Sequence, residues 1–217
     1  MTAGGAPAQA RPAHPTIERL ARALAARPGA RAQVLAGDPA PRRAAVALVL
    51  RADATDPSAP LELLFVQRAE YPGDPWSGHV AFPGGRAEPE DADLWHTAAR
   101  ETWEETGLAL LAHASPLGTL DELYPRTPVL PPVVVRPYVC LVDAGAALGA
   151  LALSAELADA FWVPLALLGA KGVDAERDVV ARGVTLRVPS YAVAGRTVWG
   201  MTERILRQFL GLVADLG

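Results

Sequence analysis

In TIERLARALAARPG, residues 16–29, the apolar side chains of Ile17, Leu20 and Leu24 fall on one side, Thr16 stands as a cap, and Pro28-Gly29 closes the run. That spacing predicts a short amphipathic helix. AAVALVL (44–50) and LELLFVQR (61–68) are short apolar runs and read as two strands joined by the loop RADATDPSAP. Two prolines and two glycines make AEYPGDPWSGH (69–79) irregular, and Pro83-Gly84-Gly85 reads as a turn. A helix is predicted from Asp91 to Thr106, ended by Gly107 in the left-handed conformation that glycine adopts at little cost. Strands follow near 108–119 and 134–142, around the Pro-rich loop LYPRTPVLPP, and AFWVPLALL (160–168) reads as a buried strand running into a short helix. Alternation in 178–200, broken at Arg182-Gly183 and Gly195, suits hairpins. The chain closes on an amphipathic helix, 201–216, with Ile205, Leu206, Phe209, Leu210 and Val213 on its apolar side.

Strands and helices mix without a regular alternation, which predicts an α+β fold, or an α/β/α sandwich on a mixed sheet. The 217 residues fit one domain, 15–217, behind a flexible tail at 1–14. That tail lacks a charged start followed by an apolar block, so no secretory signal is expected. A net charge of −4 argues against a broad basic surface for nucleic acid. No run reaches the roughly 18 uninterrupted apolar residues of a membrane helix. The nearest candidate is interrupted by Glu156 and Asp159. The single Cys140, inside RPYVCLV, excludes an internal disulfide and reads as core filling in a reducing compartment. The expectation is a soluble, cytoplasmic protein.

Chemistry concentrates in RETWEETG, 100–107. At about 100° per residue, Leu94, Trp95, Ala98, Ala99 and Thr102 share one side of the helix, and Glu101, Glu104 and Glu105 stack on the neighbouring strip. Like charges at that spacing are mutually destabilising. Arg100, four residues before Glu104, offsets one of them. A glutamate run usually means a solvated helix face. Here a Gly-Gly pair lies just upstream, where bare backbone could approach a metal or phosphate, and oxygen-only ligands favour hard ions such as Mg²⁺ or Mn²⁺. Neither zinc-ligand spacing nor a P-loop nor a serine-nucleophile elbow occurs.

GGRAEPEDADLWHTAARETWEETGL resembles the Nudix box, the loop-helix-loop signature of hydrolases that cleave a nucleoside diphosphate linked to another group. Gly85, Arg100, Glu101, Glu104, Glu105, Gly107 and Leu108 hold matching places. Asp91 stands for a glutamate, the spacer before Arg100 is one residue longer, and Thr102 replaces an aliphatic residue. The resemblance implies Mg²⁺ or Mn²⁺ held by Glu101 and Glu105, with Glu104 as a further ligand or orienting partner. It also implies a backbone carbonyl of Gly84-Gly85 in the metal shell and Arg100 bracing the glutamates. For the general base it offers a box glutamate or a later carboxylate at Glu156, with Asp121 and Glu122 as alternatives and Glu203 as a surface residue.

LFVQRAEYPGDPWSGHVAFPGG is similar to the segment preceding the box in coenzyme A pyrophosphatases, matching at Leu64, Arg68, Ala69, Gly78 and Phe82 to Gly85. A second arginine of that pattern is replaced at Gly73 or Asp74, and VWGMTERIL is similar to the same subfamily's closing helix. The resemblance implies Arg68, Gly78, Phe82, Gly84 and Gly85 as substrate-binding positions. Trp76, in the irregular loop, is a candidate to stack on adenine, His79 reads as a packing residue, and Trp95, Trp103, Trp162 and Trp199 read as core. The expected substrate is CoA or a CoA derivative. The alternatives are a broader nucleoside-diphosphate hydrolase (NADH, ADP-ribose, nucleotide sugars, nucleoside triphosphates) and a non-catalytic ligand sensor. Many proteins of the family form dimers, which leaves a homodimer open; the expected partner is otherwise a small nucleoside-diphosphate derivative.

Overall fold

The computed structural model describes residues 14–36, 38, 40–53, 56, 58–72, 77–125, 132–143, 151–169, 174–181 and 184–216. The strand β1 (Arg42–Arg51) is its centre. Ala44, Leu48 and Leu50 face one core, and Ala45, Ala47 and Val49 face a second. This near-continuous apolar run belongs to a strand covered on both faces. β2 (Glu62–Arg68) behaves likewise, with Leu63 and Phe65 on one side and Leu64 on the other.

Around these two strands a seven-stranded mixed sheet assembles in the order β3-β2-β1-β6-β5, with β4 paired to β1 and β7 to β2. The remaining strands are β3 (Val80–Ala81), β4 (Gly84–Arg86), β5 (Ala114–Thr119), β6 (Val133–Val142) and β7 (Leu157–Pro164). β1 runs parallel to β6, from Arg42 beside Val133 to Leu50 beside Leu141, and the other pairs are antiparallel. On one face lie α1 (Pro15–Ala26), through Ile17, Leu20 and Leu24, and α5 (Gly200–Ala214), through Ile205, Leu206 and Phe209. On the other lies α2 (Leu94–Thr106), through Ala98 and Ala99. The result is the α/β/α sandwich expected from the sequence. Each such fully buried Leu, Ile or Phe contributes about 1.5–3 kcal/mol relative to exposure.

Two short helices, α3 (Leu110–His113) and α4 (Leu165–Leu168), complete the layers. A second, antiparallel sheet, β10-β9-β8, contains β8 (Asp174–Ala181), β9 (Val184–Val193) and β10 (Arg196–Trp199). Arg196 ties it to the first sheet: its Nε donates to Gln67 Oε1 at 2.8 Å, it pairs with Asp159, and its guanidinium lies 4.1 Å over the Phe161 ring. No described helix is long and apolar enough to cross a membrane.

Several local expectations are corrected. His14, not Thr16, caps α1, because Pro15 at the first helical position starts the helix a residue early; His14 Nδ1 accepts from Thr16 N. Asp91 precedes α2 rather than beginning it, and Asp93 is the cap, accepting from His96 N at 2.9 Å. Residues 110–113 form a helical turn before β5. Trp103 is 58% exposed, on the outer side of α2. Glu203 is 3% exposed and bonded to Arg207 Nε. Cys140 is buried, which pushes its thiol up to about 12. The tail at 1–13, Gly73, Asp74, Trp76, most of the Pro-rich loop and Arg182-Gly183 lie outside the described residues.

Candidate active site

Small side chains decide how close α2 comes to the sheet. Ala98 and Ala99 meet Ala45 and Ala47 of β1 in one core, and Thr102 and Thr106, fully buried, satisfy their hydroxyls on the carbonyls four residues back at 2.6 Å. Thr102 therefore replaces an aliphatic residue without leaving a polar atom unpaired. Gly107 ends the helix at φ 72°, its N–H bonded to the Trp103 carbonyl.

Opposite the glutamates, Gly84-Gly85 is a strand rather than a turn. Gly84 pairs with Val46 and Gly85 with Ala45, and Ala47 N donates to the Pro83 carbonyl at 2.9 Å. A Cβ on Gly84 would lie 2.3 Å from the Ala45 carbonyl, and one on Gly85 would lie 2.4 Å from the Glu101 carboxylate. Only glycine lets β4 sit between β1 and α2. Gly84 N donates to Glu105 Oε2 at 3.0 Å, so the buried Glu105 and the half-buried Glu101 converge on this strand.

Their environment disfavours negative charge. Burial pushes the Glu105 carboxyl up to about 7; the charges of Glu101 and Glu156 push the same way, while the Gly84 N–H and Arg68 oppose. Burial raises Glu101 as well, against the nearby Arg100 charge, with Glu104 and Glu88 adding to the rise. Burial is thus the main penalty on charge at both carboxyls, with mutual repulsion a smaller one. Among the described residues no three His, Cys, Asp or Glu side chains are grouped tightly enough to hold a metal as they stand.

Arg100 braces the arrangement, chiefly through Asp91. Its Nε and Nη2 donate to the two Asp91 oxygens at 2.9 and 3.1 Å, and Nη2 also reaches the Arg86 carbonyl at 2.9 Å. Thr97 Oγ1 and Glu88 N donate to the same carboxylate. Asp91 is held well below the usual carboxylate range, first by the Arg100 hydrogen bond. Arg100 Nη1 lies 3.3 Å from Glu101 Oε1 and 3.1 Å from Glu104 Oε2. Glu104 is exposed, and its Oε2 accepts from Arg100 Nη1 at 3.1 Å. Sequence reasoning named Asp91 only as a substitute acid.

Other site candidates divide. Arg68, at the end of β2, is close enough for its charge to act on Glu105, and its N–H donates to the His79 carbonyl at 3.0 Å. Gly78 turns at φ 71°, before His79, whose ring lies 4.6 Å from Trp199. Glu156 is exposed on a loop latched beside the pair: Ser154 N donates to the Glu105 carbonyl, Ala69 N to the Glu156 carbonyl, and Tyr71 OH to the Ala155 carbonyl at 2.9 Å. Tyr71 had no sequence signal. Phe82 is 3% exposed and its ring stacks on Phe65 at 5.1 Å. Asp121 and Glu122 serve structure, Asp121 binding Ala30 N and Arg27, and Glu122 binding Ala32 N, Arg43 and Arg136.

Comparison with known proteins agrees with this geometry. The sequence model of the NUDIX domain matches residues 41–183. NudL, an uncharacterized Nudix hydrolase of Photorhabdus laumondii, is 35% identical over 137 residues, covering 61% of this chain and 67% of that protein. The mitochondrial coenzyme A diphosphatase NUDT8 of Mus musculus is 41% identical over 64 residues, 30% of each chain. A protein of Schizosaccharomyces pombe, C14C4.10c, is 39% identical over 95 residues, so the match spans only 29% of that relative's length. Among solved structures, a MutT/nudix family protein from Enterococcus faecalis superposes with a TM-score of 0.52 at 18% identity, over 84% of this chain and 66% of that one. At that identity the likeness speaks for the fold alone. By the matched domain, the glycine-strand and glutamate-helix geometry and the sandwich around them, the chain belongs to the Nudix hydrolase family, enzymes that act on diphosphate bonds.

Proposed function

We propose that this protein hydrolyses the diphosphate of CoA or a CoA derivative, giving adenosine 3′,5′-bisphosphate and (acyl-)4′-phosphopantetheine. The observation that carries the diphosphate chemistry is the desolvated Glu101–Glu105 pair against the bare Gly84-Gly85 backbone. Such a donor set fits a hard divalent cation, Mg²⁺ or Mn²⁺, because a cation offsets the cost of holding negative charge on these partly or fully buried carboxylates. Glu101, Glu105 and a carbonyl of Gly84 would hold it. When bound, it neutralises diphosphate charge and polarises phosphorus. Arg68 offers a second cation beside Glu105 for a phosphate oxygen. Glu156 takes the proton of the attacking water as the new phosphorus–oxygen bond forms and the bridging oxygen leaves. Arg100, held by Asp91, keeps Glu101 and Glu104 in place. The choice of CoA rests on the match to the CoA diphosphatase and on Arg68, Gly78 and Pro83 to Gly85 in their subfamily places.

A broader nucleoside-diphosphate hydrolase is the second reading, favoured by Gly73 and Asp74 standing where a second arginine is usual. Mass-spectrometric product analysis on CoA, acyl-CoA, dephospho-CoA, NADH, ADP-ribose and nucleoside triphosphates, with Mg²⁺ or Mn²⁺, separates the two. The CoA reading expects faster turnover of CoA than of dephospho-CoA, and equal or reversed preference overturns it. Glu105→Gln should lower kcat on the best substrate by on the order of 10²-fold or more. Retained turnover in that variant would remove the metal assignment, whereas a wild type that turns over none of the panel would favour a ligand sensor.

A further inference from the structure

A recess of about 480 Å³ opens on the flank of the box, lined by Arg42, Arg43, Arg86, Ala87, Glu88 and Pro89. The β1–β4 pairing builds it: Ala44 lies opposite Arg86, so the first residues of β1 meet the last residue of β4 although more than 40 positions separate them. Three arginines therefore line one small concavity of a chain whose net charge is −4. Arg43 is partly neutralised, since it shares Glu122 with Arg136. Glu88, on the same wall, leans toward Arg100 at 4.0 Å. Arg42 and Arg86 are exposed, and among the described residues neither side chain has an acidic or hydrogen-bonding partner. The like charges of Arg42 and Arg86 are not individually paired, and an anion in the recess would offset them.

The recess adjoins the glutamate pair without being part of it. Arg86 follows Gly85, and successive residues of a strand point to opposite faces. The Gly85 side of β4 faces Glu101, so the Arg86 side chain leaves on the other side. The link between the two places is the Arg86 carbonyl, which accepts from Arg100 Nη2. A volume of this size suits a small-molecule group such as a phosphate with its sugar.

We propose that this recess is a phosphate-monoester subsite, with Arg42 and Arg86 donating charge-assisted hydrogen bonds to the phosphate oxygens and Arg43 adding positive charge at its wall. The phosphate has two chemical sources: a monoester carried by the substrate away from the cleaved diphosphate, or free phosphate. The first rests on the function proposed above; the second does not.

Isothermal titration calorimetry on metal-free protein at low salt, with adenosine 3′,5′-bisphosphate, AMP and inorganic phosphate, tests the subsite apart from turnover. The comparison is with the double variant Arg42→Gln/Arg86→Gln, with Arg86→Gln alone as a second variant in case the double one folds poorly, and melting temperatures check both. If the substrate is the source, wild type binds adenosine 3′,5′-bisphosphate more tightly than AMP by about tenfold, and the variants lose that difference. If free phosphate is the source, inorganic phosphate binds wild type and is lost in the variants, with no preference between the two nucleotides. Either result supports the subsite. Wild type that binds none of the three, or folded variants that bind as wild type does, overturns it. Arginine-dependent phosphate binding in a protein that leaves CoA intact would retain the subsite while sinking the proposed substrate.

Discussion

A methyl group on Gly84 would press into the Ala45 carbonyl, whereas one on Gly85 would press into the end of the Glu101 side chain. The first obstacle is backbone in the middle of a sheet, and Gly84 also sits at φ 145°, where other residues are strained. Gly84→Ala should therefore cost about 2–4 kcal/mol in denaturant unfolding. The second obstacle can swing aside, so Gly85→Ala should melt near wild type yet lose activity, because the displaced group is the half-buried Glu101 carboxylate of the proposed cation site. A Gly85→Ala enzyme of normal kcat would mean that Glu101 need not sit against β4. The pair of glycines was visible in the sequence as a place for close approach. That they form a strand was not, because a Pro-Gly-Gly string reads locally as a turn and only pairing with the distant β1 makes it a strand.

On the scale of the element, α2 was legible almost to its ends. The apolar stripe, the stacked glutamates and the closing Gly107 are all local signals, and local signals survive into the structure. Its beginning was misread because Asp91 looks like first-turn acid but is spent on a loop, where Arg100, Thr97 and Glu88 N share its carboxylate. Glu203 was misread as surface for a similar reason: burial is decided by what packs across from a residue, which one strand or helix does not reveal. Asp91→Ala should cost about 2 kcal/mol, less than a fully buried ion pair because Arg100 remains partly in water. The sign of its pH dependence follows from Arg100 holding the folded pKa below the ordinary 3.8. The stabilisation is complete above about pH 4 and fades as acid protonates the folded state. Urea titrations of wild type and variant should therefore stay separated from pH 5 upward and converge in stronger acid. A constant gap at every pH would assign the loss to packing rather than to charge.

For the molecule as a whole, Glu105 works against that acid-sensitive pair. Its folded pKa, about 7, lies above the ordinary 4.5, so its contribution is present below about pH 4.5 and disappears as pH rises through 7. The difference amounts to about 3 kcal/mol of metal-free stability between acid and alkaline buffer. Asp91 and Glu122, both lowered, lose stability in the opposite direction, under acid. Metal-free protein should accordingly be more stable near pH 5.5 than near pH 8, at the expense of an ionised Glu105. A cation that binds the ionised pair reverses this, since a ligand taken up only by the folded state stabilises it by mass action. Thermal melting at pH 5.5 and 8, with chelator or with Mg²⁺, makes the test. Wild type in chelator should melt lower at pH 8, Mg²⁺ should recover much of the loss there, and Glu105→Gln should show neither a comparable pH effect nor the recovery. Glutamine keeps the shape of the protonated acid and removes its titration. If the variant repeats the wild-type pH profile, the destabilising charge lies elsewhere than on Glu105, and the carboxylate pair is not the place where the proposed cation acts.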